Sequence, residues 1–452
     1  MNNIKPYTKY KPSGIAWLGD IPAHWEARKL KFLLKLQKGK NPANFTTEDI
    51  SLPYLSMEYL RDKTKIKSFV LPQENLVEVN EGDLLVLWDG ANAGEIIKSK
   101  HGFLSSTMAV IKPNEDFFDK NYFYQFLKGL EKEFKDFSNG TTIPHFDSDI
   151  LLNNHYCIPP IPEQTAIASF LDYKTAKIDR FIFKKKQLIK LLNEQKAGII
   201  NHAVTKGINP DTKNKPSGIE WLGDIPEHWE VSRMKNICSV RQGLQIPISE
   251  RLSEEFDNCL EYITIKSINN PDNHREYILN PSKNVICQVE DILVVRTGGT
   301  GHIITNVKGV FHNNFFLVDY DRKKVEKEFL YYYLVSPKIR TYLLLVAGTT
   351  TIPDLNHGEF YNTPFFEFDK REQAAIVSHI EKETAKLNQA IATIEKEITL
   401  VQEYRTALIA EAVTGKIDVT NYEIGIIDGE LEDIESIELA EEQEIEPEDN
   451  NP

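Results

Sequence analysis

Most of this chain of 452 residues is written twice. Pro12-Ser-Gly-Ile-Ala-Trp-Leu-Gly-Asp-Ile-Pro-Ala-His-Trp25 returns as Pro216-Ser-Gly-Ile-Glu-Trp-Leu-Gly-Asp-Ile-Pro-Glu-His-Trp229, differing only at Ala16/Glu220 and Ala23/Glu227. The offset of 204 residues there becomes 208 where Tyr54-Leu-Ser-Met answers Tyr262-Ile-Thr-Ile and Gly82-Asp-Leu-Leu-Val answers Glu290-Asp-Ile-Leu-Val. It is 209 where Thr141-Thr-Ile-Pro144 answers Thr350-Thr-Ile-Pro353 and Glu163-Gln164 answers Glu372-Gln373. A repeat this long restricts the fold more than any local propensity, because one architecture must satisfy both copies. Each copy runs in the same order: an entry motif, a globular stretch of about 130 residues, and a long helix, which implies a pseudo-two-fold molecule.

Within each globular stretch the apolar runs are short and β-rich, such as Leu84 to Trp88 and Ile292 to Val295, with Gly, Pro and Asn between them. They predict a mixed α/β domain. From Glu163 to Lys206 the apolar spacing changes to four and three, through Ile167, Leu171, Lys174, Ile178, Phe181, Lys185, Leu188, Leu192, Gln195 and Ile199. The second copy repeats it through Ile376, Ile380, Glu383, Leu387, Ala390, Ile394, Glu397, Val401, Tyr404 and Leu408. So narrow a seam calls for one partner helix, and its own copy is the nearest candidate. The connection from Gly207 to Lys215 is too short to run back along a helix, which favours antiparallel pairing, a rod about 60 Å long and a globular domain at each end. The expected fold is therefore α+β: two similar mixed α/β domains, 1–160 and 208–369, separated by a long antiparallel two-helix coiled coil made from 161–207 and 370–420.

The formal charge of −14 would argue against a nucleic-acid partner if it were evenly spread. Setting aside the 13 carboxylates between Asn421 and Pro452, a segment without lysine or arginine, leaves −1 for the rest. Residues 421–452 are expected to form a disordered, self-repelling tail that aids solubility or competes with DNA for a basic groove. Cys157, Cys238, Cys259 and Cys287 show no CxxC pair, so neither a zinc site nor a disulfide framework is indicated, and a reducing cytoplasm is the expected compartment. No apolar run reaches the roughly 20 residues that span a bilayer, and the polar, basic amino terminus carries no mark for export.

Several motifs admit two readings. Trp17, Trp25, Trp221 and Trp229 form either a stacking platform for bases or the packing that seats the entry motif on its domain. The glycine-rich loops Trp88 to Gly94 and Arg296 to His302 are either DNA-facing loops or tight turns; neither fits a nucleotide-binding fingerprint. Asn139 to Pro144 and Gly348 to Pro353 offer hydroxyls and amides to phosphate, or cap the next helix. In the repeat alignment Arg296 faces Trp88 and Thr300 faces Asn92, so a shared frame carries different side chains, as two readers of different base sequences would. Lys184 to Lys186 is read as a solvated helix face. HExxH, GxSxG, Walker and metal-spaced carboxylate motifs are all missing, as is Asn-Pro-Pro-aromatic, so the chain reads as a non-catalytic protein.

The doubled Pro-Ser-Gly-Ile-x-Trp-Leu-Gly-Asp-Ile-Pro-x-His-Trp, the Gly-Asp-Leu-Leu and Asp-Ile-Leu-Val strands, and Thr-Thr-Ile-Pro followed by Glu-Gln and a long helix resemble the specificity subunit of type I restriction-modification enzymes. The resemblance covers residues from about 5 to 420. It implies that 1–160 and 208–369 are target-recognition domains, each reading one half of a bipartite target in double-stranded DNA, while the spacer helices fix the gap. It also implies two modification (methyltransferase) subunits and, through them, restriction (helicase-nuclease) subunits as partners. S-adenosylmethionine, ATP and Mg are then expected only on those partners, with no cofactor on this chain. Candidate DNA-contacting residues, chosen by loop position, are Trp88, Asn92, Ser105, Ser106, Thr141, Thr142 and His145 in the first copy. Those in the second are Arg296, Thr300, His302, Asn313, Asn314, Thr349, Thr350 and Thr351. A coiled-coil scaffold that binds only proteins is the alternative, distinguished by having no salt-dependent DNA affinity.

Overall fold

A computed structural model describes residues 5–15, 18–46, 51–61, 68–71, 75–138, 144–270, 275–348 and 353–424. The chain divides into two units: of the described residues, one gathers 5–184 with 396–424 and the other 185–395.

Both units carry the same sheets in the same order. In the first, Leu34–Lys38, Met108–Pro113, Leu84–Leu87 and Ile96–Lys98 lie side by side in one antiparallel sheet. A second sheet runs Phe69–Val70, Leu52–Leu55, Gly102–Leu104, Glu78–Val79, with the middle pair parallel. The second unit repeats the first sheet as Cys238–Gln242, Phe315–Tyr320, Ile292–Val295 and Ile303–Thr305. It repeats the other as Tyr277–Leu279, Cys259–Ile263, Gly309–Phe311 and Ile286–Cys287, again with the middle pair parallel. All four residues of Leu84–Leu87 and of Ile292–Val295 are buried, which is why these central strands read as unbroken apolar runs rather than as alternation.

One local difference has a clear cause. The first unit packs a helix of 19 residues, Lys120–Ser138, whose Tyr122, Phe123, Phe126, Leu127, Leu130 and Phe134 form a buried stripe at helical spacing. The second unit breaks the corresponding helix into Lys327–Val335 and Pro337–Ala347. Proline at 337 forces the preceding residue out of the helical region, and Ser336 sits at ψ 141° between the two pieces.

The entry motif is a structural clasp in both copies. Trp25 and Trp229 are fully buried. Trp25 donates its indole N–H to Glu163 Oε1 at 3.0 Å, and Trp229 donates to Glu372 Oε1 at 3.1 Å. His24 and His228 meet the second oxygen of the same carboxylates at 2.7 and 2.8 Å. In the first copy Tyr7 also donates its hydroxyl to Glu163. The neighbouring Gln164 and Gln373 tie the helix start to the domain by accepting from the backbone N–H of Asp119 and Glu326 and donating to nearby carbonyls. Of the four tryptophans, Trp25 and Trp229 are thus packing residues, Trp221 stacks on Tyr342 at 4.9 Å, and Trp17 lies outside the described residues.

Each entry hairpin is also met by the end of a long helix. In the second unit this is the first long helix, Ile161–Lys206, whose Lys206 ammonium reaches the carbonyl of Asp224. In the first unit it is the segment after the second long helix, Lys370–Val413: Lys416 Nζ bonds the carbonyls of Leu18 and Asp20 at 2.8 and 2.9 Å, and Asp418 N–H donates to Lys5 O at 2.7 Å. Within the first unit the two long helices run in opposite senses, since Phe170 contacts Tyr422 at 4.8 Å while Asp179 pairs with Arg405 at 3.3 Å.

The seam departs in places from the sequence spacing. Ile167, Leu171, Ile178, Ile376, Ile380, Ile394 and Leu408 are buried as expected. Phe181 is 41% exposed and Tyr404 is 52% exposed, while Ile182 is buried in place of Phe181. Lys174 and Glu383 yield likewise to Thr175 and Thr384, whose hydroxyls bond back to Leu171 O and Ile380 O. A helix of 3.6 residues per turn drifts away from a strict seven-residue pattern, so the buried line moves to the adjacent position. Tyr422, at the head of the acidic segment, packs on Phe170 with Lys174 Nζ 5.0 Å above its ring; 425–452 lie outside the described residues.

Candidate nucleic-acid interface

The loops after the central strands are held by one set of backbone bonds in both units. Trp88 N–H donates to Thr107 O at 2.8 Å and Trp88 O accepts from Phe146 N–H at 2.8 Å. Their counterparts are Arg296 N–H to Asn314 O at 2.6 Å and Leu355 N–H to Arg296 O at 3.1 Å. Beside them, Gly39 and Gly243 lie flat against a neighbouring strand end. A Cβ on Gly39 would sit 2.1 Å from Ser105 O, and one on Gly243 2.2 Å from His312 O, so only glycine fits.

On this common frame the side chains differ pair by pair. In the first unit Trp88 donates Nε1–H to His145 Nε2 at 3.0 Å, and His145 Nδ1 meets Asp89 Oδ1 at 2.6 Å. The network assigns the ring proton to Nδ1, because Nε2 acts as an acceptor. Lys38 Nζ closes the cluster, 3.1 Å from Asp89 Oδ2 and 5.0 Å from the Trp88 ring centroid. Burial pushes the Asp89 carboxyl up, but the hydrogen bonds from His145 and Lys38 outweigh it and hold the group below its ordinary range.

In the second unit the corresponding pair is Arg296 with Asp354. The guanidinium grips the carboxylate through Nε to Oδ1 at 2.6 Å and Nη2 to Oδ2 at 2.9 Å. That hydrogen bond lowers the Asp354 carboxyl and raises the Arg296 guanidinium. A second substitution lies nearby: Ser106 donates to Asn41 Oδ1 at 2.8 Å in the first unit, and Asn313 donates to Gln245 Oε1 at 2.8 Å in the second.

The remaining candidates separate by burial. Asn92 is exposed on its loop, and His302 is exposed beside Arg340, with its imidazole pushed down first by burial and then by that guanidinium. Asn314 is half-buried, and its backbone N–H bonds His312 Nδ1 at 3.0 Å. Ser105 is 3% exposed with its hydroxyl on Thr107 Oγ1, and Thr300 is 5% exposed with its hydroxyl between Arg296 O and Pro353 O. These two hydroxyls face inward and brace the loops. Thr141, Thr142, Thr349, Thr350 and Thr351 lie outside the described residues.

Sequence reasoning missed Lys38, Asn41, Asp89, Gln245 and Asp354. For Asp354 a signal existed: it follows Thr-Thr-Ile-Pro as His145 does, so the aligned repeats place the two at one position. Among the described residues no group of His, Cys, Asp and Glu could hold a metal ion, and no helix is long and apolar enough to cross a membrane. Burial pushes the thiols of Cys157 and Cys287 up to about 11 and that of Cys238 up to about 12, far from the range of a reactive thiolate.

Comparison with known proteins places two copies of the type I restriction modification DNA specificity domain on residues 22–191 and 226–400. The chain is 29% identical over 421 residues to the type I restriction enzyme MjaVIII specificity subunit of Methanocaldococcus jannaschii, covering 89% of this chain and 95% of that one. It is 23% identical over 359 residues to the EcoBI specificity subunit of Escherichia coli, covering 74% and 73%. A chain from a solved structure of the type I R-M system shares the fold at a TM-score of 0.54 and 14% identity, over 87% of this chain and 98% of that one.

Proposed function

Because the chain belongs to the family of type I restriction-modification DNA specificity proteins, we propose that it is the non-catalytic, sequence-reading subunit of such a complex. Each globular domain reads one half of a bipartite double-stranded DNA target, and the paired helices set the gap. One observation carries this reading. The same backbone frame recurs in both copies while the side chains on it change from Trp88–His145 to Arg296–Asp354 and from Asn41–Ser106 to Gln245–Asn313. A protein-binding scaffold has no need of unlike polar pairs on like frames, whereas two readers of different base sequences do.

Trp88, Asn92, Ser106, His145, Arg296, His302, Asn313 and Asn314 remain the candidate contacts, together with Thr141, Thr142 and Thr349 to Thr351. Two modification subunits dock on the helices, where Phe181, Leu400 and Tyr404 of the first unit and Leu188 and Leu191 of the second leave apolar surface exposed. Restriction subunits join through them. Methyl transfer from S-adenosylmethionine and ATP- and Mg-dependent cleavage belong to those partners, and the assembly works in the cytoplasm, where the four free cysteines stay reduced. Methylome sequencing of the host with and without the gene tests the reading: adenine methylation at one bipartite motif disappears with the gene. An unchanged methylome in cells that express the protein refutes it.

A further inference from the structure

We propose that Arg296 reads a guanine in the half-site of the second domain, and that Asp354 is the positioning residue that aims it. The inference rests on the proposed DNA-reading function and adds the base, the reading atoms and a partner residue.

The geometry of the pair is the ground for it. Asp354 occupies Nε and one hydrogen of Nη2 along one edge of the guanidinium. The other edge keeps both hydrogens of Nη1 and the second hydrogen of Nη2, and among the described residues no partner takes them. Those two nitrogens form the fork that matches the O6 and N7 acceptors of guanine in the major groove. The backbone beneath is fixed on both sides by Asn314 O and Leu355 N–H, and the buried Thr300 hydroxyl braces the Arg296 carbonyl. A side chain tied at its base and along one edge loses little further freedom on meeting a base edge.

Charge argues for a base rather than a phosphate as the target. A guanidinium in a bidentate pair with a carboxylate is neutral as a unit, so it gains little from the phosphate field, while its hydrogen-bond geometry is intact. The Arg296 side chain is 27% exposed, so the pair is not sealed in the core.

At the matching place in the first domain, the Trp88 N–H is already engaged by His145 Nε2, and the indole has no second donor. The first half-site therefore carries no guanine requirement from this position.

The test compares methylomes of hosts that carry the full system with the natural chain, Arg296→Ala, Arg296→Met, Asp354→Asn, and the paired exchange Arg296→Trp with Asp354→His. With the natural chain, one position of the second half-site is an invariant G·C pair. Arg296→Ala makes that position degenerate and leaves the first half-site and the gap unchanged. On oligonucleotides with the purified complex, guanine preference at that position falls about 10- to 100-fold. Asp354→Asn weakens the same preference and no other, which a merely structural role would not do. The paired exchange removes the guanine requirement. Should Arg296→Ala fail to assemble, Arg296→Met keeps the length of the side chain without any donor and loses selectivity at the same position.

An unchanged motif in Arg296→Ala or Arg296→Met overturns the proposal. So does a uniform loss of affinity for all sequences with a shallower salt dependence, the mark of a phosphate contact. A natural chain without any gene-dependent bipartite methylation overturns the DNA-reading function itself, and this inference with it.

Discussion

Glu163→Ala removes the acceptor at the centre of the first clasp, and the repeat supplies its own control. In the native chain the carboxylate, 8% exposed, accepts from two buried donors, the Trp25 indole and the Tyr7 hydroxyl, and meets the half-exposed His24. Truncation leaves both buried donors without a partner, at about 1–3 kcal/mol each, so the first unit loses about 2–6 kcal/mol of local stability. The exposed histidine pair adds under about 1 kcal/mol. In the second copy Glu372 is 30% exposed and holds only one buried donor, Trp229, because the position matching Tyr7 is Asp211. Glu372→Ala should therefore cost about 1–3 kcal/mol. A chain of two units need not unfold in one step, so the readout is hydrogen exchange by mass spectrometry on peptides of each unit. Peptides of the first unit should exchange about 30-fold faster or more in Glu163→Ala, and those of the second about 5- to 160-fold faster in Glu372→Ala. Tyr7→Phe in the Glu163→Ala background should recover part of the loss, because it deletes one orphaned donor. Equal losses in the two copies, or no gain from Tyr7→Phe, would refute the idea that buried donors rather than helix propensity set the strength of the clasp.

Three further outcomes are expected. Gly39→Ala drives a methyl group to 2.1 Å from the Ser105 carbonyl and should destabilise the first domain by about 3 kcal/mol, with Gly243→Ala doing the same to the second; local hydrogen exchange reads both. Burial pushes the imidazoles of His302, His312 and His357 down in the second unit, helped by Arg340, Arg251 and Arg296 respectively. Histidines with lowered folded values bind protons more readily when unfolded, so stability is full above the usual value of about 6.5 and falls as pH drops below it. Second-unit peptides should lose protection between pH 7.5 and 5.5, and replacing the three histidines with glutamine should flatten the dependence. Inserting one helical turn of about 5.4 Å after Leu188 and after Glu397 should lengthen the gap in the methylated motif by one to two base pairs while both half-sites keep their bases, as methylome sequencing would read.

The repeat makes the order of parts legible in the sequence alone: entry motif, central strand, glycine-rich loop, Thr-Thr-Ile-Pro, Glu-Gln, long helix. Covalent order and apolar spacing are local properties, and both copies had to obey them. The same local rules erred on the seam by one position, at Phe181 against Ile182, because slow helical drift is decided by what packs alongside.

The candidate contacts were legible as loop positions but not as chemistry. Ser105 and Ser106 are neighbours in the chain, yet one hydroxyl is buried on Thr107 and the other reaches Asn41, 65 residues away. Arg296 read from sequence is a loop position facing Trp88; the folded chain brings Asp354 to it across 58 residues and makes the pair neutral as a unit. Sequence by itself determined that this protein has two like domains, two long helices and the family to which they belong. Only the tertiary structure decided which polar groups turn inward and which stay available, because hydrogen-bond partners are chosen by where distant segments cross, and no local pattern encodes a crossing.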